Sequence, residues 1–370
     1  MFKPLILAGV SAIAFGVTSP SFAADTLLVH SGKVQPDGTA PKYAVIRHET
    51  ANKHQAPKAS LPPTWVFTYT NAGKSFKETF VGTAVTGGAS TTIPVYIIPI
   101  DMVYGTTSYD PTVVTANGVS IIQNILNSPI FTSAIDYKQG TVDLGTTQYE
   151  DAFQRATLWG KISAAHKAGY HVLLSTTVEP VQTITIPKAN GQLINAFGAK
   201  NLIMANINVY DPKIQALIAS LKIPSNALPL FITTQTYLAS GNTTAGCCIG
   251  GYHSTSNALG QPYSSATYIT TSGAFSQNVS ALSHELGEWV DDPNTNNPVP
   301  AACGAGAILE VGDPLEGETN YGGYPYTEGG VTWDLQDLVT LDYFGAPAKT
   351  SVNKWTTFQG EKLAFCSNGG

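Results

Sequence analysis

Apolar and polar positions change period several times along the chain, and each change predicts an element. Residues 65–70, 76–81 and 92–104 are rich in β-branched and aromatic side chains and are separated by Gly and Asn turns, which predicts three strands. Residues 119–126 predict a short helix stopped by Asn127-Ser128-Pro129. Residues 147–159, acidic at the start and amphipathic, predict a second helix. Strands are expected at 172–177, 183–187 and 228–237. Asp211-Pro212 predicts a helix start, Asp as cap and Pro in the first turn, running to Lys222. A last helix is expected over 278–290, with Ser276 as its cap, Val279, Leu282 and Leu286 at helical spacing, and Pro293 beyond its end. Strands and helices alternate irregularly without an internal repeat. A mixed α/β, or α+β, single domain is therefore expected over 64–370. Residues 25–63 are polar, with scattered Lys, His and Pro, and read as an extended arm or a short pro-segment.

The ends and the composition add a compartment. Lys3, an apolar run over 5–17 and the small residues of 19–24 read as an export leader cleaved after Ala23 or Ala24. The expected location is secreted or periplasmic. No later stretch is long and apolar enough for a membrane helix. Charged residues are only 12% of the chain, about half the usual share. The net charge of −6 and the lack of a basic patch exclude nucleic acid as the expected partner. Four cysteines, Cys247, Cys248, Cys303 and Cys366, predict disulfides in an exported chain. A bond between the neighbours Cys247 and Cys248 is strained, so each is expected to reach Cys303 or Cys366. Without Cys-x-x-Cys, a thiol-ligated zinc site is not expected.

Candidate chemistry concentrates in 283–293, SHELGEWVDDP. His284 and Glu288 are four apart, so on a helix they share a face. Glu285 points about 100° from His284, close enough to reach a ligand of the same ion. In zinc peptidases this layout is usually His-Glu-x-x-His, with the Glu as general base. Here the fifth position is Glu288, and a carboxylate serves as a ligand for zinc or calcium. Glu310 and Asp313 follow in Glu310-Val311-Gly312-Asp313, and Glu310 lies 22 residues after Glu288, a spacing that suits a third ligand. His253 is the nearest other histidine in sequence. The alternative is a helix-face histidine with solvated carboxylates. Against it, Asp291 and Asp292 sit at a helix C-terminus, where the macrodipole disfavours negative charge. Beyond Lys222 the only basic side chains are Lys349, Lys354 and Lys362.

The run Ser283-His284-Glu285-Leu286-Gly287-Glu288-Trp289, Asp292-Pro293 and Glu310-Val311-Gly312-Asp313 resembles the pattern of the secreted Exordium/phosphate-induced proteins of plants and similar bacterial secreted proteins. Cys248-Ile249-Gly250-Gly251-Tyr252-His253 resembles their Cys-Gly-x-His stretch, with spacing that differs by two residues. The likeness covers about residues 245–320. It implies an extracellular protein with a zincin-like helix, and it points to His253, His284, Glu285, Glu288, Glu310 and Asp313.

The expectation from these residues is an exported metal-dependent hydrolase, a peptidase acting on protein or peptide substrates. His284 and Glu288 bind Zn2+, or alternatively Ca2+; Glu310 or Asp313, and His253, complete the shell. Glu285 is the catalytic base, and Tyr side chains of 321–326 are candidates for stabilising the oxyanion. Two other readings stay open: a non-enzymatic secreted protein with a structural calcium site, and a cell-wall or polysaccharide binder using its many aromatic residues. There is no Gly-x-Ser-x-Gly elbow, which argues against an α/β-hydrolase, and no Gly-rich phosphate loop precedes a helix.

Overall fold

The predicted strands assemble largely into one mixed sheet of 12 strands in a computed structural model, which describes residues 26–47, 61–139, 141–256, 260–301, 307–352, 356–359 and 363. The expected leader, Cys303 and Cys366 lie outside the described residues. In chain order the elements begin with β1 (Thr26–Ser31), β2 (Lys42–Arg47), β3 (Thr64–Asn71), β4 (Lys74–Val81), β5 (Ser90–Tyr104), β6 (Thr107–Tyr109), α1 (Ile121–Leu126), β7 (Ile135–Gln139), β8 (Val142–Thr147) and α2 (Tyr149–Thr157). They continue with β9 (His171–Val178), β10 (Gln182–Thr185), β11 (Gly191–Ala196), β12 (Ala199–Asn206), α3 (Ile207–Ser220), β13 (Leu228–Thr234) and β14 (Thr236–Ala239). Last come β15 (Cys247–Thr255), β16 (Pro262–Tyr268), α4 (Ser280–Asp291), β17 (Gly323–Glu328) and β18 (Val331–Gln336). The main path is β10-β5-β13-β16-β15-β14-β12-β11, while β3-β4, β7-β8 and β17-β18 are separate antiparallel pairs. The chain has a mixed α+β fold.

Period-two alternation divides the core. On β5, Ile93, Val95 and Ile97 join one apolar cluster, and Ile98, Ile100 and Met102 join the other. The same division occurs on β12, where Leu202 and Met204 face one side and Ile203 and Ala205 the opposite one. The first side packs under α1, α2 and α4; the second holds Ile207, Tyr210, Ile214 and Ile218 of α3. Leu286 and Trp289 of α4 are fully buried, each contributing about 1.5–3 kcal/mol of apolar transfer. α4 rests on β15, β16, β18, β4 and α2, so the sheet and a second helix hold it from several sides.

Several expectations are corrected. Asp211 does not open α3: the helix starts at Ile207, and Asn206 caps it by accepting from the Asn208 N–H. Asp211 is buried inside the helix, and its Oδ1 accepts from the Tyr252 hydroxyl (2.9 Å) and the Tyr263 hydroxyl (2.6 Å). Tertiary demand for an acceptor there outweighs the local capping signal. Ser276 does not cap α4 either. The cap position is Val279, and the preceding Asn278 side chain accepts from the Val279 and Asp334 N–H groups. The strand expected over 228–237 is broken at Gln235, whose φ of +48° ends β13 and lets β14 begin. Cys247 and Cys248 are bonded to each other, contrary to the expected longer-range pairing. Of the stretch expected as an arm, the described residues 26–31 and 42–47 belong to the sheet: β1 pairs antiparallel with β2, and β2 pairs parallel with β15.

Candidate metal centre

α4 carries the motif into the interior. His284, Glu285 and Glu288 are all buried, as are His253 on β15 and Glu310, Asp313 and Glu316 on the segment after α4. One turn of helix separates His284 from Glu288, and the His284 Nε2 stands 3.0 Å from Glu288 Oε1. Asp313 Oδ1 lies 3.6 Å from the same nitrogen. Four-coordinate ligands at about 2.1 Å from an ion stand about 3.4 Å apart, which these two distances bracket.

The other ring nitrogen has its own partner. His284 Nδ1 is 2.9 Å from Gln336 Oε1, while Gln336 Nε2 donates to the Gly312 carbonyl at 3.0 Å. Because that amide nitrogen is committed to a carbonyl, its oxygen must accept, and Nδ1 carries the proton. Nε2 is buried, without a hydrogen bond of good geometry, and stands beside two carboxylate oxygens. A cation held between these atoms, a proton or a metal ion, makes their approach favourable in a low-dielectric interior. Tyr43 of β2 stacks on the His284 ring at 3.4 Å between centroids, covering one face of it.

Two glycines make the approach possible. A Cβ on Gly251 would lie 2.5 Å from Glu285 Oε1, and one on Gly312 would overlap the His284 ring. The Gly312 N–H also donates to Glu288 Oε1 at 3.2 Å.

Among the described residues, three groups of donors are compact enough for an ion: His284 with Glu288 and Asp313; His253 with Glu285 and Glu288; and His30 with Asp313 and Glu316. Glu288 joins the first two, turning Oε1 to His284 and Oε2 to His253 (3.6 Å). His253 Nδ1 is also 3.4 Å from Glu285 Oε2. Burial pushes Glu285, Glu310, Asp313 and Glu316 well above the usual carboxylate range, and the Glu288 charge adds to the rise in each. Glu288 goes the other way. Burial raises it, but His284 and His253 pull it below its ordinary value. Burial lowers His253 to about 4, against the pull of Glu288.

All six residues expected from the sequence thus meet in one interior. Asp313 stands with His284 and Glu288, whereas Glu310 lies against Glu288 outside the three compact groups. Asp291 and Asp292 do not join. Asp292 accepts from the N–H groups of Asn296 and Asn297, both at 2.9 Å, and so shapes the chain after α4. Of the 321–326 tyrosines, Tyr321 packs edge-on against Phe275 at 5.4 Å, and Phe275 in turn meets Tyr43 at 5.1 Å. The sequence reading missed His30, Tyr43, Glu316 and Gln336. Gly251 and Gly312, beside His253 and Asp313, were a usable signal of close approach; Tyr43 and Gln336 carry none, since only strand placement brings them in. No family model, curated protein or solved structure matches the chain.

Proposed function

We propose that the protein is an exported, metal-dependent hydrolase of the zincin type, with peptide bonds as its substrate. The reading rests on one observation above the others: a buried His284 Nε2 standing 3.0 Å from a Glu288 oxygen and 3.6 Å from an Asp313 oxygen, the spacing of ligands on one ion. His284, Glu288 and Asp313 are the ligands. A mixed nitrogen and oxygen donor set suits zinc better than calcium, which takes oxygen ligands. Bound there, a divalent ion supplies Lewis acidity and makes water a nucleophile near neutral pH. Glu285, the next residue along α4, takes the proton as general base, and His253 orients it through their 3.4 Å contact. Metal analysis of purified protein and a casein or peptide cleavage assay test this together. Wild type is expected to carry metal and cleave. Glu285→Gln is expected to keep the metal and lose roughly 10²–10⁴-fold in rate. Protein that carries no metal and cleaves nothing ends the proposal.

A second reading is a structural ion in a non-enzymatic protein. What favours it is that His284, Glu285 and Glu288 are at most 1% exposed, with Tyr43 over the histidine ring. It predicts bound metal, thermal stabilisation on adding Ca2+ or Zn2+, and no cleavage by wild type.

A further inference from the structure

The third donor group contains a residue from the far end of the chain. His30 on β1 is 286 positions from Glu316, yet its Nδ1 lies 2.6 Å from Glu316 Oε2 and 3.9 Å from Asp313 Oδ1. That same Asp313 oxygen is the one 3.6 Å from His284 Nε2. One carboxylate therefore stands between two histidines, one from the first strand and one from the motif helix.

A direct hydrogen bond accounts for the His30–Glu316 contact alone. It does not account for Glu316 Oε1, which is buried with no hydrogen-bond partner, or for the Asp313 oxygen facing both rings. Five carboxylates, Glu285, Glu288, Glu310, Asp313 and Glu316, are gathered in this interior. His30 is part-exposed, 32% for its side chain, so this position is the side of the cluster open to entry of an ion.

We propose that His30, Asp313 and Glu316 form a second divalent-cation site, and that Asp313 bridges it to the His284–Glu288 site to make a two-metal centre. The inference rests on the metal-site reading above and adds the N-terminal strand to it. Carboxylate-bridged ion pairs stand about 3.5–4 Å apart and clamp both the attacking and the leaving oxygen of a hydrolytic reaction. Filling the site requires the 2.6 Å His30–Glu316 contact to open toward the spacing of co-ligands.

The test is metal stoichiometry of the full chain. Protein stripped with chelator is dialysed against Zn2+, separately against Ca2+, and analysed by elemental mass spectrometry beside His30→Ala, Glu316→Gln and His284→Ala. Glu316→Gln preserves shape and guards against loss of fold, which circular dichroism checks. Two equivalents in wild type, falling to one in both His30→Ala and Glu316→Gln, are expected. A stoichiometry that His30→Ala and Glu316→Gln leave unchanged while His284→Ala lowers it overturns the second site and spares the first. No bound metal in wild type overturns both.

Discussion

Gln336 shows how much one side chain decides. Its backbone N–H is held by Ser283 Oγ (2.9 Å), its amide nitrogen by the Gly312 carbonyl, and its oxygen faces His284 Nδ1. Three residues around the site thus meet one glutamine, two of them on its side-chain amide. Replacing it by Leu removes the acceptor that fixes the His284 tautomer and leaves a buried N–H unpaired. Outer partners of metal ligands typically change affinity by about 10–100-fold. Gln336→Leu is therefore expected to weaken metal binding by a factor in that range, read by competition with a chromophoric chelator, with the secondary structure retained. Equal affinity in the variant and wild type would mean that the amide does not set the histidine. Gly312 belongs to the same scale: it is glycine because the His284 ring occupies the place of its Cβ.

At the scale of elements, α4 is useful only because both of its ends are anchored by other parts of the chain. Its start is tied through Asn278 to β18, since the Asn278 amide donates to Asp334 Oδ2 at 2.8 Å and to the Thr332 carbonyl at 3.1 Å. Its end is tied through Asn297 to β4. The Asn297 side chain accepts from the Thr79 N–H and donates to the Thr79 carbonyl, both at 2.8 Å, and it also donates to the Asp291 carbonyl at the end of the helix. Asn297→Ala would strand an edge N–H and a helix-end carbonyl in a buried setting, where each unpaired group costs about 1–3 kcal/mol. A loss of about 3 kcal/mol, measured as a shift of the urea midpoint at constant slope, is expected. A change below about 0.5 kcal/mol would show that water or a neighbour replaces the amide.

Much of this element plan was legible locally. β3, β4, β5 and α4 follow from alternating or helical spacing in their own residues, within a few positions of the observed ends. The start of α3 was not. Asp211-Pro212 has the local signature of a helix start, but the Asp211 carboxylate is needed by Tyr252 and Tyr263, residues distant in sequence. The same limit hid His30 from the site, because nothing near residue 30 records that β1 will lie beside Glu316.

For the whole molecule, the notable quantity is buried acid without nearby base. Glu78, buried on β4, has its pKa raised from 4.5 to about 8, first by burial and then by Asp292, with the Tyr69 hydroxyl pulling it back. The folded form binds this proton more tightly than the unfolded chain. Its contribution to stability is present in full below about 4.5 and is lost as pH rises through about 8. Asp342, raised to about 6 mainly by burial, adds a loss of the same sign at lower pH. The protein is expected to melt at a higher temperature at pH 5 than at pH 9. Glu78→Gln should flatten that difference and stabilise the protein at pH 9 by a few kcal/mol, at about 1.36 kcal/mol per pKa unit. Thermal melts of both proteins across pH 4–9 check this, and a parallel pH dependence in the two would refute the assignment to Glu78.

The sequence by itself determined the strand-rich α+β character and the motif helix, and it singled out His253, His284, Glu285, Glu288, Glu310 and Asp313 as candidates. These are properties of local spacing and side-chain chemistry, which act over a few residues. Only the tertiary structure decided that Asp313 stands with His284 and Glu288, that Gln336 meets His284 Nδ1, and that Cys247 pairs with its neighbour. It also decided that β1 and β2 bring His30 and Tyr43 to the same interior. Those outcomes depend on which strands lie side by side, and strand order is set by burial summed over the whole sheet, to which no single segment holds the key.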